Sequence, residues 1–283
     1  MSDALATMLK SPGVERLATG FGFTEGPLWH PEGFLYFVDL RRSQLLRWQP
    51  GKGVEIVREH TGEGNGLTFD RQGRLIMCEG ANRRVSRTEA DGSVVPLVER
   101  WQGKRLNRPN DVVCHSDGSL YFTDPGMRVQ PAERDLDSSP VFRVTPDGIV
   151  SSATAECEYP KGLAFSPDER TLFVSNTRTR MFIHAFDVQP DGSLTNHRTF
   201  ASMSPPEESV PDGMKVDVEG RIFCTGPGGT WVFDPSGIHL GTMRSPEIPA
   251  NCAFGGADYR TLFLTARTSL YAVRVKVPGI KVL

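Results

Sequence analysis

Residues 161–176 read KGLAFSPDERTLFVSN, and the frame of that stretch decides the fold. A polar residue opens it. A short apolar strand follows, then a turn rich in Pro, Asp or Gly, then a second apolar strand. The chain repeats the frame as EGPLWHPEGFLYFVDL from Glu25, NGLTFDRQGRLIMCEG from Asn65, NDVVCHSDGSLYFTDP from Asn110, DGMKVDVEGRIFCTGP from Asp212 and NCAFGGADYRTLFLTA from Asn251. The last copy has a different turn, so either Ala250 or Asn251 opens it. Second strands such as Phe34 to Val38 and Leu120 to Thr123 are rich in Leu, Phe, Tyr and Val, and turn residues bound them, the pattern of buried strands. A further alternating segment follows each copy (QLLRW, RRVSR, VFRVT, MFIHAF, TWVFD, SLYAV), and turns such as Asp91-Gly92 or Asp191-Gly192 lead on to a fourth strand. Four strands per unit of about 40–50 residues, repeated through the chain, predict an all-β protein, a six-bladed β-propeller with four-stranded blades. A sandwich would not repeat one frame. Residues 1–283 are read as a single propeller domain, with 1–13 a flexible N-terminal arm and Val14 to Thr19 able to supply the outer strand that closes the ring.

Composition agrees with a globular protein. The 283 residues are 38% hydrophobic and 23% charged, enough apolar surface for a core. A formal net charge of -2 gives no nucleic-acid footprint. No apolar run approaches the roughly 18 residues of a membrane span. The opening MSDALATMLKSPG lacks the apolar stretch of a signal peptide, so a soluble cytoplasmic protein is the expectation, with a small-molecule substrate and no nucleic-acid or membrane partner. The five cysteines are scattered and form no C-x-x-C spacing, which favours buried free thiols. The six histidines are dispersed, and none opens a frame, so neither a histidine metal site nor a Ser-His-Asp triad is indicated.

In a propeller the first strand of each blade lies nearest the axis, so the opening residues form a ring. Here they are Glu25, Asn65, Asn110, Lys161, Asp212 and one of Ala250 or Asn251. Polar groups gathered in a channel need partners. Two carboxylates and several amide oxygens suit a hard cation such as calcium. The long polar connection from Pro125 to Pro140 can lie over the channel mouth as a lid, with Arg128 and Arg134 reaching substrate.

The motifs TEGPLW, RPNDVV, GLAFSPDERTLFVS, PDGMKVD and NCAFGG, in that order from about Glu15 to Val275, resemble the senescence marker protein/gluconolactonase (regucalcin-like) family. The resemblance implies a six-bladed propeller, a hydrolase that opens a sugar lactone or related cyclic ester, and one divalent cation in the channel. Calcium is preferred; zinc, manganese and magnesium are found with similar ligands. It implies Glu25, Asn110 and Asp212 as metal ligands, Asp212 also as general base, and Arg108 and Asn110 at the substrate; Asn65, which opens the blade-two frame before Gly66, is read from its position as a further substrate contact. At the remaining metal ligand the family's asparagine is replaced by Lys161.

That lysine leaves three arrangements open. It swings aside and the cation stays on Glu25, Asn110 and Asp212. Or its ammonium takes the cation's place and no metal is bound, giving a metal-independent hydrolase, lyase or isomerase acting on a lactone or carbonyl compound. Or it loses its proton and acts as a nucleophile, which two neighbouring carboxylates oppose. An ammonium and a dication about 4 Å apart repel by roughly 2 kcal/mol in water and roughly 8 at an effective dielectric of 20. A binding module with a decayed site is the reading from another class; the retained Glu25, Arg108, Asn110 and Asp212 speak against it.

Overall fold

The computed structural model describes residues 2–10, 13–204 and 209–283. Six four-stranded antiparallel sheets stand around one axis as the blades of a propeller. Their innermost strands are Thr24–His30, Gly64–Phe69, Val112–Cys114, Pro160–Phe165, Met214–Val216 and Asn251–Gly255. Each packs against the next, and the last packs against the first. Blades one to five take their strands in chain order. In the sixth, Glu15–Thr19 pairs antiparallel with Ser269–Arg274 as the outermost strand, so the two ends of the ring are joined in one sheet. Among the described residues no helix is long and apolar enough to cross a membrane.

The frame explains the core. Both faces of a blade's inner strands meet a neighbouring blade, so these strands are buried throughout instead of alternating. Six apolar clusters result, one at each junction between blades. The junction of blades six and one, for example, joins Trp29, Phe37 and Leu46 to Phe263 and Leu270, with Trp29 and Phe263 stacked at 5.3 Å. The turns use Asp and Gly for definite reasons. Asp70 Oδ1 accepts from the backbone N–H of Gln72 and Arg74, and Gly73 turns the chain at φ 77°. Asp217, Glu219, Arg221 and Gly220 repeat the device in blade five.

The N-terminus differs from the predicted flexible arm. A short helix, α1 (Asp3–Met8), is capped by the Ser2 hydroxyl, and Leu5 and Leu9 are buried in the cluster between blades five and six. Six residues are too few to show a helical period in sequence. Residues 1, 11 and 12 of that arm lie outside the described residues. At the other terminus the chain crosses one end of the channel. Ile280 N–H donates to Val216 O, Gly279 N–H to Tyr259 O, and Val282 packs on the cluster of Leu28 and Leu67. The opposite end, which holds Lys161 and Asp212, keeps an open cavity.

Candidate active site

Three of the six blades slip in register where their opening residues lie. Strand pairing shifts between Glu25 and Leu28, between Gly64 and Leu67, and between Pro160 and Leu163. Each slip leaves residues at the strand end unpaired in the ladder, free to be re-aimed. Hydroxyls at the ends of the second strands then tie each blade to the next. Thr123 Oγ1 donates to Lys161 O, Ser175 Oγ to Asp212 O and Thr225 Oγ1 to Ala250 O, all at 2.7 Å. These bonds fix the main chain of the ring.

At the open end lies a cavity of about 400 Å³. Lys161 and Asp212 line it together with Tyr159, Thr177, Ala250 and three arginines, Arg128, Arg178 and Arg267. Lys161 Nζ donates to Asp212 Oδ2 at 3.0 Å, and the two side chains are 6% and 13% exposed. The other Asp212 oxygen takes part in no hydrogen bond among the described residues, so it can accept from a water or a substrate hydroxyl.

Glu25 sits close by and is 2% exposed. Its Oε2 accepts from Gly26 N–H at 3.0 Å and from Asn251 Nδ2 at 3.1 Å. Burial, reinforced by the Asp212 carboxylate and opposed by the Lys161 ammonium, pushes its carboxyl up to about 8. The position after each opening residue is glycine in four blades, but Asp111 in blade three and Asn251 in blade six, which face one another across the axis. The glycines make room for those two side chains. A Cβ on Gly213 would come within 2.0 Å of the Asn251 amide, and one on Gly66 within 2.4 Å of Asp111 Oδ1. Burial raises the Asp111 carboxyl, and its Oδ2 has no partner among the described residues.

The predicted residues are only partly brought together. Lys161 and Asp212 meet, and Glu25 feels both charges. Asn65 and Asn110 are buried, at 5% and 6% exposure, and do not line the cavity. Arg108, expected at the substrate, is drawn to Glu63 as an ion pair and lines no part of the cavity. In the Pro125–Pro140 connection Arg128 reaches the cavity, whereas Arg134 Nε turns back to Val129 O at 2.9 Å. Ala250 takes the ring position in blade six, since its carbonyl accepts from Gly213 N–H as the Asn110 carbonyl accepts from Gly66 N–H. Sequence reading missed Asp111, whose signal was a departure from glycine in the frame. It also missed Arg178 and Arg267, which carry no signal because both stand in hairpin turns.

In this arrangement Asp212 faces the cavity while Asn110 does not line it, so the residues that the resemblance implies as metal ligands are not all turned to one cavity. The Lys161 ammonium is already paired with Asp212. A dication about 4 Å from that ammonium would meet a repulsion of roughly 8 kcal/mol at an effective dielectric of 20.

The sequence model of the SMP-30/Gluconolactonase/LRE-like region matches residues 23–268. The chain is 31% identical to the gluconolactonase of Zymomonas mobilis, over 95% of this chain and 83% of that one. It is 30% identical to pentonolactonase XacC of Haloferax volcanii, over 85% and 80% of the two chains. Its structure is similar to that of a gluconolactonase from Xanthomonas campestris, with a TM-score of 0.89 and 35% identity, over 98% and 93% of the two chains.

Proposed function

The chain belongs to the SMP-30/gluconolactonase/LRE-like family, and from that membership we propose that it is a lactonase, opening a sugar lactone or related cyclic ester at the open end of its channel, with the Lys161 ammonium standing where the family resemblance calls for a metal ligand. One observation carries the second half of this reading: Lys161 Nζ lies 3.0 Å from Asp212 Oδ2 inside the ring.

Ester hydrolysis needs a base for the water and a donor for the oxyanion. The ammonium supplies the donor, with N–H groups left over after Asp212 to polarise the lactone carbonyl. Asp212 accepts the proton of a water through its free oxygen. The water oxygen bonds to the carbonyl carbon, and the negative charge that develops on the carbonyl oxygen faces Lys161. Collapse breaks the bond from that carbon to the ring oxygen, which takes the proton back from Asp212 and leaves as a hydroxyl. The product is the open-chain hydroxy acid.

Elemental analysis and lactonase rates, measured on wild type and on Lys161→Asn prepared identically, test the reading. The wild type is expected to carry no stoichiometric metal and to keep its rate after chelation. Lys161→Met is expected to lower kcat by about 10²–10³, the usual cost of removing an oxyanion donor. One equivalent of metal in wild type, with activity lost on chelation, would overturn the role given to Lys161.

A further inference from the structure

The cavity holds more positive charge than the hydrolysis of a neutral lactone uses. Among the described residues four cations line it, Lys161, Arg128, Arg178 and Arg267, and one carboxylate, that of Asp212. Lys161 is committed to Asp212. The three guanidiniums have no carboxylate in ion-pair reach among the described residues, although arginines elsewhere in the chain commonly have one, among them Arg74, Arg221 and Arg274.

The three arginines come from three sides of the mouth. Arg128 ends the short 3-10 helix Gly126–Arg128 over blade three. Arg178 stands just beyond the second strand of blade four. Its guanidinium lies 5.8 Å over the Tyr159 ring, and its carbonyl accepts from Asn176 Nδ2 at 3.0 Å. Arg267 occupies the hairpin turn of blade six at φ 45°, a conformation few L residues adopt, and its carbonyl accepts from Thr24 N–H at 2.7 Å. Both backbones are therefore braced. All three side chains are exposed, so solvent screens their mutual repulsion, and no described carboxylate competes for them. A guanidinium offers a planar fork of donors that fits carboxylate and phosphate oxygens, whereas a polyol gains little from a fixed positive charge.

We propose that the substrate is a lactone bearing an anionic group, a carboxylate or a phosphate, which Arg128, Arg178 and Arg267 hold at the mouth while the ester carbonyl reaches Lys161. This rests on the lactone-hydrolase reading above. A cavity of about 400 Å³ has room for a six-carbon lactone with such a group. The charged group sets orientation, because it fixes one end of the ring and presents the other to the Lys161–Asp212 pair.

Initial rates with three lactones of one skeleton test it: neutral D-glucono-1,5-lactone, a D-glucaric acid lactone and 6-phospho-D-glucono-1,5-lactone. At least one anionic lactone is expected to exceed the neutral one in kcat/KM by about tenfold or more. That preference should shrink as ionic strength rises, since partly exposed charges are screened. Which anionic lactone is preferred distinguishes carboxylate from phosphate. Arg178→Met and Arg267→Met, checked for unchanged melting temperature, should each raise KM for the preferred lactone about tenfold with kcat within about twofold. Equal or better turnover of the neutral lactone, or an unaltered KM in both variants, overturns the proposal. Calorimetric titration with glucarate and with inorganic phosphate separates it from the hydrolase reading. If no lactone is turned over but either anion binds wild type and not the double arginine variant, the hydrolase reading falls and the anion site stands. If neither anion binds and no lactone reacts, both fall.

Discussion

Lys161 and Asp212 depend on one another. Both are nearly buried, and each is the other's charge partner. Removing one partner of such a pair leaves an uncompensated charge in the interior, at a cost of about 3–5 kcal/mol, while replacing both with apolar residues costs far less. Lys161→Met and Asp212→Leu should therefore each destabilise the fold by about 3 kcal/mol in urea unfolding. The double variant should be more stable than the sum of the two predicts, by about 2 kcal/mol or more. A coupling near zero would mean that the ammonium points elsewhere. Both residues were legible in sequence, because a repeated frame fixes which residue of each copy faces the axis. What lies just beneath them was not. Asp111 gains its place from a glycine in another blade, Gly66, and Asn251, which sequence could only pair with Ala250 as a ring candidate, from Gly213, so their role depends on contacts across the axis that no stretch of chain contains.

Strands carry one titration that spacing also hides. His184 and His197 are dispersed in sequence, yet they face each other on neighbouring strands of blade four, Phe182–Val188 and Leu194–Ser202, with Nδ1 and Nε2 2.9 Å apart. Register slips on both sides of His184 bring them together. Burial, then the positive charge His197 can carry, lowers His184 from 6.5 to about 4, opposed by Glu158. A histidine with a depressed folded value stays neutral in the fold while the unfolded chain takes up a proton. Its contribution is intact above pH 6.5 and is lost as pH falls from about 6.5 toward about 4. The drop in melting temperature between pH 7 and pH 4.5 should therefore be smaller in His184→Phe than in wild type; an equal drop would remove the histidine from the acid limb. The short helix α1 makes a second demand at this scale. Leu5 is fully buried among Phe223, Val232 and Met243, so Leu5→Ala should cost about 2–5 kcal/mol by denaturant unfolding, where a loose arm would give almost nothing. Strand units were readable because each repeats a turn and an apolar run; α1 was not, since it is a single short element held by tertiary contact.

The whole molecule is a ring whose closure lies at the junction of its first and last blades. Glu15–Thr19 is the chain's first strand and blade six's outermost. At the same seam Thr24 Oγ1 donates to Ser269 O, and Asn251 Nδ2 reaches across to Glu25 Oε2. Its place before the first full blade is what made Val14 to Thr19 a candidate for this closing strand. Its consequence for the site follows from the geometry of a ring, in which every blade holds its two neighbours in place. A protein lacking residues 2–19 keeps five complete blades but leaves Ser269–Arg274 as an open edge and uncovers apolar surface at both ends of blade six. Its melting temperature should fall by about 10 °C or more, and it should associate on size exclusion. Lactonase activity should be lost at temperatures where far-UV dichroism still reports intact strands, because the seam that opens carries Glu25, whose neighbours are Lys161 and Asp212. A peptide spanning residues 13–20, added in excess, should restore part of both stability and rate by refilling the edge. Truncated protein that melts and reacts like the full chain would show that the blades hold the ring without their closing strand.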